Sequence, residues 1–289
     1  MAASTSNPNS NPHANPNLTA SDKATAFREL HQRAGAFIIP NPWDVGSACI
    51  LAQLGFEALA TTSAGFAFSV GQLDNTIGRD RMLAHVADIV AATSLPVSAD
   101  LENGFADDAD GVATTIRLAG ATGLAGGSIE DSTGRADAPI YEFGHAVDRI
   151  RAAVEAARAL PHPFVLTARA ENHLVGRPDL KDTIKRLQAY QEAGADVLYA
   201  PGLVSEQDIA AVVSSLDRPV NVLMGMAGVP HTLGSLARLG VKRVSVGGAL
   251  ARAALGALLR AGREMREHGS FTFTDEAASF REISAMFRR

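Results

Sequence analysis

The sequence contains little cysteine, few aromatic residues and no excess of positive charge. A single cysteine, Cys49, is present among 289 residues, which excludes an internal disulfide framework and favours a reducing compartment. The net charge is −5 and the isoelectric point is about 5.9. A nucleic-acid partner would require clustered Lys and Arg, so this charge argues against one.

Long apolar runs are lacking as well. No run reaches the roughly 18 residues that span a bilayer, and no basic segment followed by an apolar one opens the chain. We therefore predict a soluble, cytoplasmic protein without a membrane partner. Residues 1–20 are rich in Asn, Pro and Ser and lack apolar periodicity, which predicts a disordered tail ahead of a single domain at 21–289.

From residue 37 onward, short apolar or β-branched runs alternate with Ala-rich stretches of helical character. Flanking Gly and Pro, together with the regular return of the runs, favour buried parallel strands. The runs are FIIPN (37–41), ALATTSA (58–64), PVSADLE (96–102), GLAGGSIED (123–131), FVLTARAEN (164–172), ADVLYAPG (195–202), PVNVLMG (219–225) and RVSVGGA (243–249).

Four joints between a helical stretch and the following run share one pattern. QLGFEAL, LAGATGL, EAGADVL and RLGVKRV each place Gly after a helix and before a strand, where a left-handed C-cap is needed. Eight βα units in a chain of this length predict a (β/α)8 TIM-type barrel. A doubly wound open sheet is the alternative, but no G-x-G-x-x-G follows the first run.

Acidic side chains stand where the third and fourth runs end, which is the end of a barrel strand where catalytic residues gather. Asp100, Glu102 and Glu130 offer oxygen ligands without neighbouring His or Cys, which suits a hard cation such as Mg2+. Without a cation, three such charges would repel and raise one another's pKa. The alternative interpretation is that they cap helices or face water.

Other polar or small residues follow the remaining runs. The guanidinium of Arg169 suits a bidentate grip on a carboxylate or phosphonate, or a structural ion pair with the rim carboxylates. The segment Ser63-Ala64-Gly65 lets the backbone approach a ligand closely and offers amides to an anionic oxygen, although a plain turn has the same spacing. Trp43, the single tryptophan, fits either a pocket wall or core packing.

Taken together, these segments resemble a known family. PNPWDVGSACILAQLGFEALATTSAG, SADLENGF, GGSIEDS, LTARAEN and YQEAGADVLYAPG are similar to the isocitrate lyase/phosphoenolpyruvate mutase superfamily over about residues 33–265. The resemblance implies a barrel whose last helix is exchanged between the subunits of a homo-oligomer, a tetramer or a dimer. It also implies chemistry on small α-oxo acids that depends on Mg2+, with Mn2+ as a substitute.

The resemblance further implies roles for individual residues. Asp100 matches the direct Mg2+ ligand, and the carboxylates that match holders of metal-bound water are Glu102, Glu130 and Asp74. Arg169 matches the basic substrate clamp, and Arg169 and Glu130 are the catalytic candidates. The other substrate-binding candidates are Trp43, Ser63, Ala64, Gly65 and Asn103.

Three departures from the family pattern bear on the reaction. The segment IEDSTGRADAPIYEFGHAVDRI lacks the cysteine loop of isocitrate and methylisocitrate lyases, and it offers Arg135 where the phosphorus–carbon branch has Lys and Asn. The last run ends in Gly247-Gly248, where oxaloacetate decarboxylases carry His. The usual D-x-D-x-G reads D-x-E-N-G, which lengthens one ligand arm by a methylene.

The predicted function is a Mg2+-dependent lyase that cleaves a C–C bond of a small α-oxo or 2-hydroxy carboxylic acid through a metal-bound enolate. Water, Arg135 or Tyr141 is the predicted proton donor. One alternative is a P–C bond enzyme, either phosphoenolpyruvate phosphonomutase-like or a phosphonopyruvate hydrolase. The other is a barrel that binds a metabolite without turning it over.

Overall fold

The computed structural model describes residues 18–288. Most of the predicted disordered tail, residues 1–17, lies outside the described residues. The first helix begins at Ala20 because Thr19 forms a capping box with Asp22, in which each side chain accepts a hydrogen bond from the other's backbone amide. No helix of the described part of the chain has the length and apolarity that a membrane crossing requires.

Helices and strands alternate along the chain from residue 37 onward. The helices are α1 (Ala20–Gln32), α2 (Val45–Gln53), α3 (Ser63–Ser69), α4 (Arg79–Ala92), α5 (Ala109–Ala121), α6 (Phe143–Arg158), α7 (Leu180–Glu192), α8 (Glu206–Ser214), α9 (Leu233–Arg238), α10 (Ala249–His268) and α11 (Phe280–Met286), with a 3-10 helix at Thr272–Glu276. The strands are β1 (Phe37–Ile39), β2 (Leu59–Ala60), β3 (Val97–Asp100), β4 (Gly126–Glu130), β5 (Val165–Arg169), β6 (Val197–Tyr199), β7 (Val220–Leu223) and β8 (Arg243–Ser245).

Within residues 18–288, the eight strands form one parallel sheet in the order β1-β8-β7-β6-β5-β4-β3-β2. The sheet nearly closes, because the amide of Ala60 in β2 donates to the carbonyl of Pro40, the residue after β1, at 3.0 Å. The predicted (β/α)8 barrel is therefore confirmed, and the doubly wound open sheet is not observed. A barrel places the strand ends that carry the acidic residues on one rim.

The four Gly joints also have the predicted conformation. Gly55, Gly123, Gly194 and Gly240 have φ values of 87°, 86°, 104° and 87°. A residue with a Cβ would be strained in this left-handed region, which is why glycine ends each helix before the chain turns into a strand.

The second run contains the shortest strand of the described residues. The run 58–64 is a strand only at Leu59–Ala60, and helix α3 begins at Ser63. The cause is Thr62, whose side chain accepts a hydrogen bond from the amide of Gly65 and so caps the helix. Ser63, Ala64 and Gly65 consequently form the first turn of a helix at the rim of the barrel.

Side chains inside the barrel change character from the bottom to the rim. The alternation of strand side chains is visible in β5, where Val165 packs into a buried apolar cluster that includes Phe27 of α1. Two residues later comes Thr167, and two residues after that comes Arg169 at the rim. The outward-facing residues, such as Leu166 and Ala168, pack against the surrounding helices in the main core.

The two C-terminal helices expose apolar side chains. Leu258 and Leu259 of α10 are exposed, as are Phe271 and Phe280 farther along the chain. Among residues of α10, Ala251 and Ala261 are the buried ones in the described chain. Exchange of a helix between subunits stays a prediction.

Candidate active site

A cavity of about 190 Å3 opens at the carboxyl ends of the strands. That volume corresponds to about six water molecules, at about 30 Å3 each, which suits a small acid better than a large ligand. The predicted site residues that line it are Ser63, Ala64, Asp74, Asp100 and Arg169. The other lining residues that matter below are Asn41, Ser98, Ser128, Tyr199, Asn221, Arg243 and Ser245.

The guanidinium of Arg169 holds three carboxylates together. Its Nη1 lies 2.9 Å from Oδ1 of Asp100, its Nη2 lies 3.0 Å from Oε2 of Glu130, and its Nε lies 2.8 Å from Oε1 of Glu171. Burial acts to lower the pKa of Arg169, but the charges of these carboxylates hold that pKa above its ordinary value. The ion-pair interpretation of Arg169 is therefore observed, while its role as a substrate clamp stays a prediction.

The second oxygen of Asp100 faces the first turn of α3. Oδ2 of Asp100 accepts hydrogen bonds from the amide of Ser63 at 3.1 Å and from its hydroxyl at 2.9 Å. The amide of Asp100 in turn receives support from Oγ1 of Thr61, to which it donates at 3.0 Å. Asp100 is thus held from two sides, in a fixed orientation at the cavity wall.

Glu102 and Asp74 add negative charge beside Asp100. Glu102 is buried, its φ is 49°, and its Oε1 has no hydrogen-bond partner. Burial, followed by the charges of Asp100 and Asp74, raises the pKa of Glu102 to about 8. Burial and the charge of Asp100 also raise the pKa of Asp74. Among residues 18–288, Arg169 is the cation whose charge opposes that of Glu102 and Asp74.

A second, structural layer supports the acidic cluster. Asp131 is buried and accepts hydrogen bonds from the hydroxyl of Tyr190 at 2.6 Å and from Nη1 of Arg186 at 3.1 Å. Its other oxygen accepts from the amide of Glu171 at 2.8 Å. Asp131 therefore fixes the backbone that carries Glu171, and so fixes one partner of Arg169.

The pKa values of Glu130 and Glu171 are also raised by burial. Desolvation raises the pKa of Glu130, against the opposing charge of Arg169, and the negative charge of Glu171 adds to the increase. Burial likewise raises the pKa of Glu171, again opposed by Arg169. The arrangement favours any additional positive charge that enters it.

The donor set fits a hard divalent cation with few direct protein ligands. Three carboxylates contact one guanidinium, and the charge of that guanidinium also acts on two further carboxyl groups, those of Glu102 and Asp74. One buried carboxyl oxygen of Glu102 has no partner. No three His, Cys, Asp or Glu side chains of residues 18–288 form a ready-made set of metal ligands. Mg2+ suits such a place because it keeps several waters and takes only one or two carboxylates directly.

Three predicted substrate-binding residues are placed outside the cavity lining. A Cβ built on Gly65 would lie 2.9 Å from Cβ of Trp43, so these two residues pack against each other beside α10. The amide of Gly65 donates to Thr62 and is not directed at a ligand. Asn103 donates from Nδ2 to the hydroxyl of Tyr141 at 3.0 Å. Their roles toward a substrate stay predictions.

The segment after β4 is anchored away from the cavity. Ser132 pairs with Ile140 in an antiparallel bridge, so the segment folds back on itself as a short hairpin. Arg135 forms an ion pair with Asp107 at 3.0 Å, and the hydroxyl of Tyr141 donates to the same carboxylate at 2.5 Å. Both predicted proton donors therefore contact Asp107 in this structure.

Several lining residues were not predicted from the sequence. Asn41 joins the barrel seam, since its Oδ1 accepts from the amides of Val246 and Gly247 at 2.8 and 2.9 Å. Tyr199 lies with its ring 5.2 Å from the guanidinium carbon of Arg169. The signal that identifies such residues is a polar side chain at alternate positions of a buried run, as in Arg243 and Ser245.

A second cavity, of about 500 Å3, lies at the opposite end of the barrel. It is lined by residues at the starts of β5 and β6, such as Val165 and Val197, and by Arg158, which pairs with Asp196 at 2.6 Å. The starts of barrel strands contribute to stability and the carboxyl ends to chemistry. The acidic cluster therefore identifies the smaller cavity as the candidate active site.

Comparisons with known proteins identify the family of this chain. The model of the phosphoenolpyruvate phosphomutase family matches residues 27–266. The crystal structure of a candidate lyase/mutase from Burkholderia cenocepacia J2315 is similar, with 65% identity and a TM-score of 0.91 over 93% of this chain and 97% of that chain.

Two characterised enzymes are more distant relatives. The 2-methylisocitrate lyase of Escherichia coli is 33% identical over 189 residues, which cover 63% of this chain and 62% of that enzyme. The structure of an oxaloacetate acetylhydrolase with the product oxalate is 26% identical, with a TM-score of 0.82 over 93% of this chain and 94% of that chain. The match over most of its length shows that the chain belongs to the phosphoenolpyruvate phosphomutase family, within the isocitrate lyase/phosphoenolpyruvate mutase superfamily.

Proposed function

We propose that this protein is a Mg2+-dependent lyase that breaks a C–C bond of a small α-oxo or 2-hydroxy carboxylic acid. The observation that carries the proposal is the carboxylate cluster at Arg169, which pairs with Asp100, Glu130 and Glu171. Asp100 and Asp74 of this cluster line the cavity of about 190 Å3. Such a cluster favours a divalent cation, and the cavity has room for a small acid. The superfamily membership supports chemistry of this class.

Asp100 is the residue that would hold the cation directly, with Glu102, Glu130 and Asp74 holding its waters. The donor set is made of oxygens, and Oε1 of Glu102 has no other partner. When bound, the cation supplies a Lewis acid that stabilises the negative charge left on the oxo acid as the bond breaks.

The protein's own residues would orient the substrate and move a proton. Ser63 lies at the N-terminal turn of α3, where its amide and hydroxyl are fixed by Asp100. Arg169 balances the carboxylates and adds positive charge at the cavity wall. Tyr199 lines the cavity, and burial raises the pKa of its hydroxyl to about 12, so it keeps its proton near neutral pH.

Protonation by the segment after β4 would require a rearrangement. Arg135 and Tyr141 contact Asp107 in this structure, so either donor must leave that carboxylate to reach the cavity. Tyr199 and water reach the cavity without such a movement. We therefore place Tyr199 beside Arg135, Tyr141 and water as a proposed donor to the carbanionic product.

A P–C bond enzyme is the second candidate, and the observation that favours it is the family match itself. The matching family model is that of phosphoenolpyruvate phosphomutase. Against this candidate, the segment 132–142 offers Arg135 and no lysine. Two relatives, 2-methylisocitrate lyase and oxaloacetate acetylhydrolase, are named for substrates made of carbon, hydrogen and oxygen, which supports C–C cleavage.

A substrate panel separates these functions. The purified protein is incubated with Mg2+ or with EDTA and one acid at a time, and products are identified by NMR and by a phosphate assay. The panel contains oxaloacetate, 2-methylisocitrate, isocitrate, 4-hydroxy-2-oxo diacids and phosphonopyruvate. Mg2+-dependent C–C cleavage supports the proposal, whereas turnover of phosphonopyruvate alone supports the second candidate. Ligand binding without turnover of any acid supports a non-catalytic barrel.

We also propose that the protein is a cytoplasmic homo-oligomer, a tetramer or a dimer. The apolar side chains exposed on α10 and after it, such as Leu258, Leu259 and Phe280, support burial against another subunit. Light scattering on the full chain measures the mass directly. A monomer at micromolar concentration would contradict this part of the proposal.

A further inference from the structure

We propose that Arg243 recognises a carboxylate of the ligand at the floor of the cavity, which makes the substrate class a short diacid. The inference rests on the proposed function and deepens it, because it names the group at the end of the ligand that lies farthest from the acidic cluster. Arg243 is the first residue of β8, is buried, and lines the same cavity as Asp100 and Arg169.

The hydrogen-bond partners of Arg243 are all neutral. Its Nε donates to Oδ1 of Asn221 at 2.9 Å, and its Nη2 donates to Oγ1 of Thr167 at 2.9 Å. Its Nη1 lies 3.3 Å from Nε2 of His31. The Nδ1 of that ring lies 2.8 Å from the carbonyl of Phe27, so Nδ1 carries the proton and Nε2 accepts from Arg243.

No carboxylate of residues 18–288 forms an ion pair with Arg243. This contrasts with Arg169, which has three carboxylate partners in the same cavity. An arginine buried without a counter-charge is costly, because its desolvation is not offset by an ion pair. Three of the five N–H groups of a guanidinium are used here, which leaves two for a ligand.

The barrel interior above Arg243 is unusually polar and small. Barrel interiors are commonly filled by Val, Ile and Leu, whereas the cavity here is lined by Ser98, Ser128 and Ser245. Asn221 donates from Nδ2 to Oγ of Ser245 at 2.9 Å, which directs its Oδ1 toward Arg243. Small polar side chains leave space for the ligand and offer it hydrogen-bonding groups.

The spacing of the two guanidinium groups matches a short diacid. Arg243 contacts Thr167, and Arg169 follows Thr167 by two residues on the same inward face of β5. Two residues of a strand span about 6.6 Å. One carboxylate near Asp100 and Arg169 and a second on Arg243 would therefore belong to one small molecule.

A pair of stable, unreactive ligands tests this inference. Malate and 2-hydroxybutyrate share a four-carbon 2-hydroxy acid skeleton and differ in a terminal carboxylate against a methyl group. Their affinities are measured by calorimetry with Mg2+ present, on the wild type, on Arg243→Gln and on Arg243→Lys. Arg218→Gln is the matched control, since Arg218 lines the cavity at the opposite end of the barrel.

We expect the wild type and the Arg218→Gln control to bind malate about tenfold or more tightly than 2-hydroxybutyrate. Arg243→Gln should lose this preference and leave the affinity for 2-hydroxybutyrate unchanged. Arg243→Lys should keep part of the preference, because lysine keeps the positive charge but cannot form a bidentate contact with the carboxylate. A wild type without the preference overturns the inference even if Arg243→Gln fails to fold, and so does an Arg243→Gln variant that retains it.

This binding experiment is independent of turnover. A preference for malate that disappears in Arg243→Gln, together with silence across the substrate panel, would support the diacid inference and contradict the lyase proposal. Turnover of panel substrates by a wild type whose Arg243→Gln variant still prefers malate would support the lyase proposal and contradict the diacid inference.

Discussion

Nη1 of Arg169 lies 2.9 Å from Oδ1 of Asp100, while Oδ2 of the same carboxylate accepts two hydrogen bonds from Ser63. Asp100 therefore connects the guanidinium of Arg169, at the end of β5, to the first turn of α3. Because both oxygens are already fixed, a bound cation would meet a preorganised ligand and would not have to order one.

Replacement of Asp100 by Asn tests its assignment as the direct ligand. We expect the affinity for Mg2+ to fall by about 100-fold or more, since loss of a carboxylate that only supports a ligand already costs about 10–100-fold. Calorimetric titration with Mg2+ measures this, and circular dichroism checks the fold. Asp107→Asn is the control, because Asp107 pairs with Arg135 outside the cavity lining and should bind Mg2+ as the wild type does.

Replacement of Arg169 by Lys tests the predicted substrate clamp. A lysine keeps one positive charge but cannot serve three carboxylates and a ligand at once, so we expect KM for an anionic substrate to rise by about tenfold. Steady-state kinetics on the substrate identified by the panel give this value. Unchanged kinetics would leave Arg169 with a purely structural ion-pair role.

Glu102 should make the metal-free protein less stable as the pH rises. Its folded pKa is about 8, against an ordinary value of 4.5, so the folded state binds the proton more tightly than the unfolded state does. Between pH 4.5 and 8, the wild type should therefore lose stability relative to Glu102→Gln, by up to about 1.4 kcal/mol per pH unit.

Urea unfolding of both proteins in EDTA at pH 5, 6.5 and 8 measures the stability difference. The difference in favour of Glu102→Gln should grow with pH and should shrink when Mg2+ is added at pH 8. A difference that stays constant over this range would show that Glu102 is not held protonated in the folded state.

Gly126 should tolerate no side chain. A Cβ built there would lie 2.5 Å from the carbonyl oxygen of Val165 on the neighbouring strand, so Gly126→Ala should destabilise the barrel by about 1–3 kcal/mol. Gly262→Ala is the control, because a Cβ on Gly262 of α10 meets nothing within 4 Å and alanine favours a helix by up to about 1 kcal/mol. Equal melting temperatures for the two variants would contradict this account of β4.

Much of the fold could be predicted because its signals are local. The Gly joints at Gly55, Gly123, Gly194 and Gly240 need only the conformation of one residue, and all four have it. The length of β2 could not be predicted from its run, because the cap formed by Thr62 competes with the strand and starts α3. Two local signals overlap there, and the helix cap prevails.

The site was predictable at its rim and less so at its floor. Asp100 and Arg169 follow apolar runs in the sequence, so their place at the strand ends could be predicted, but the three ion pairs of Arg169 depend on register between strands. Arg243 begins its run and points inward, and its lack of a charged partner depends on which side chains meet inside the barrel. Pairing of β7 with β8 places Asn221 opposite Arg243, whereas curvature of the sheet into a barrel brings Thr167 of β5 to it.

The measurement that tests the account most directly is C–C cleavage of the oxo- and hydroxy-acid panel by EDTA-treated protein, followed by NMR as Mg2+ is added back, in the wild type and Asp100→Asn. The account predicts no cleavage in EDTA, recovery with Mg2+ in the wild type, and little recovery in Asp100→Asn at the same concentration. Cleavage that persists in EDTA, or that Asp100→Asn recovers as fully as the wild type, would contradict it.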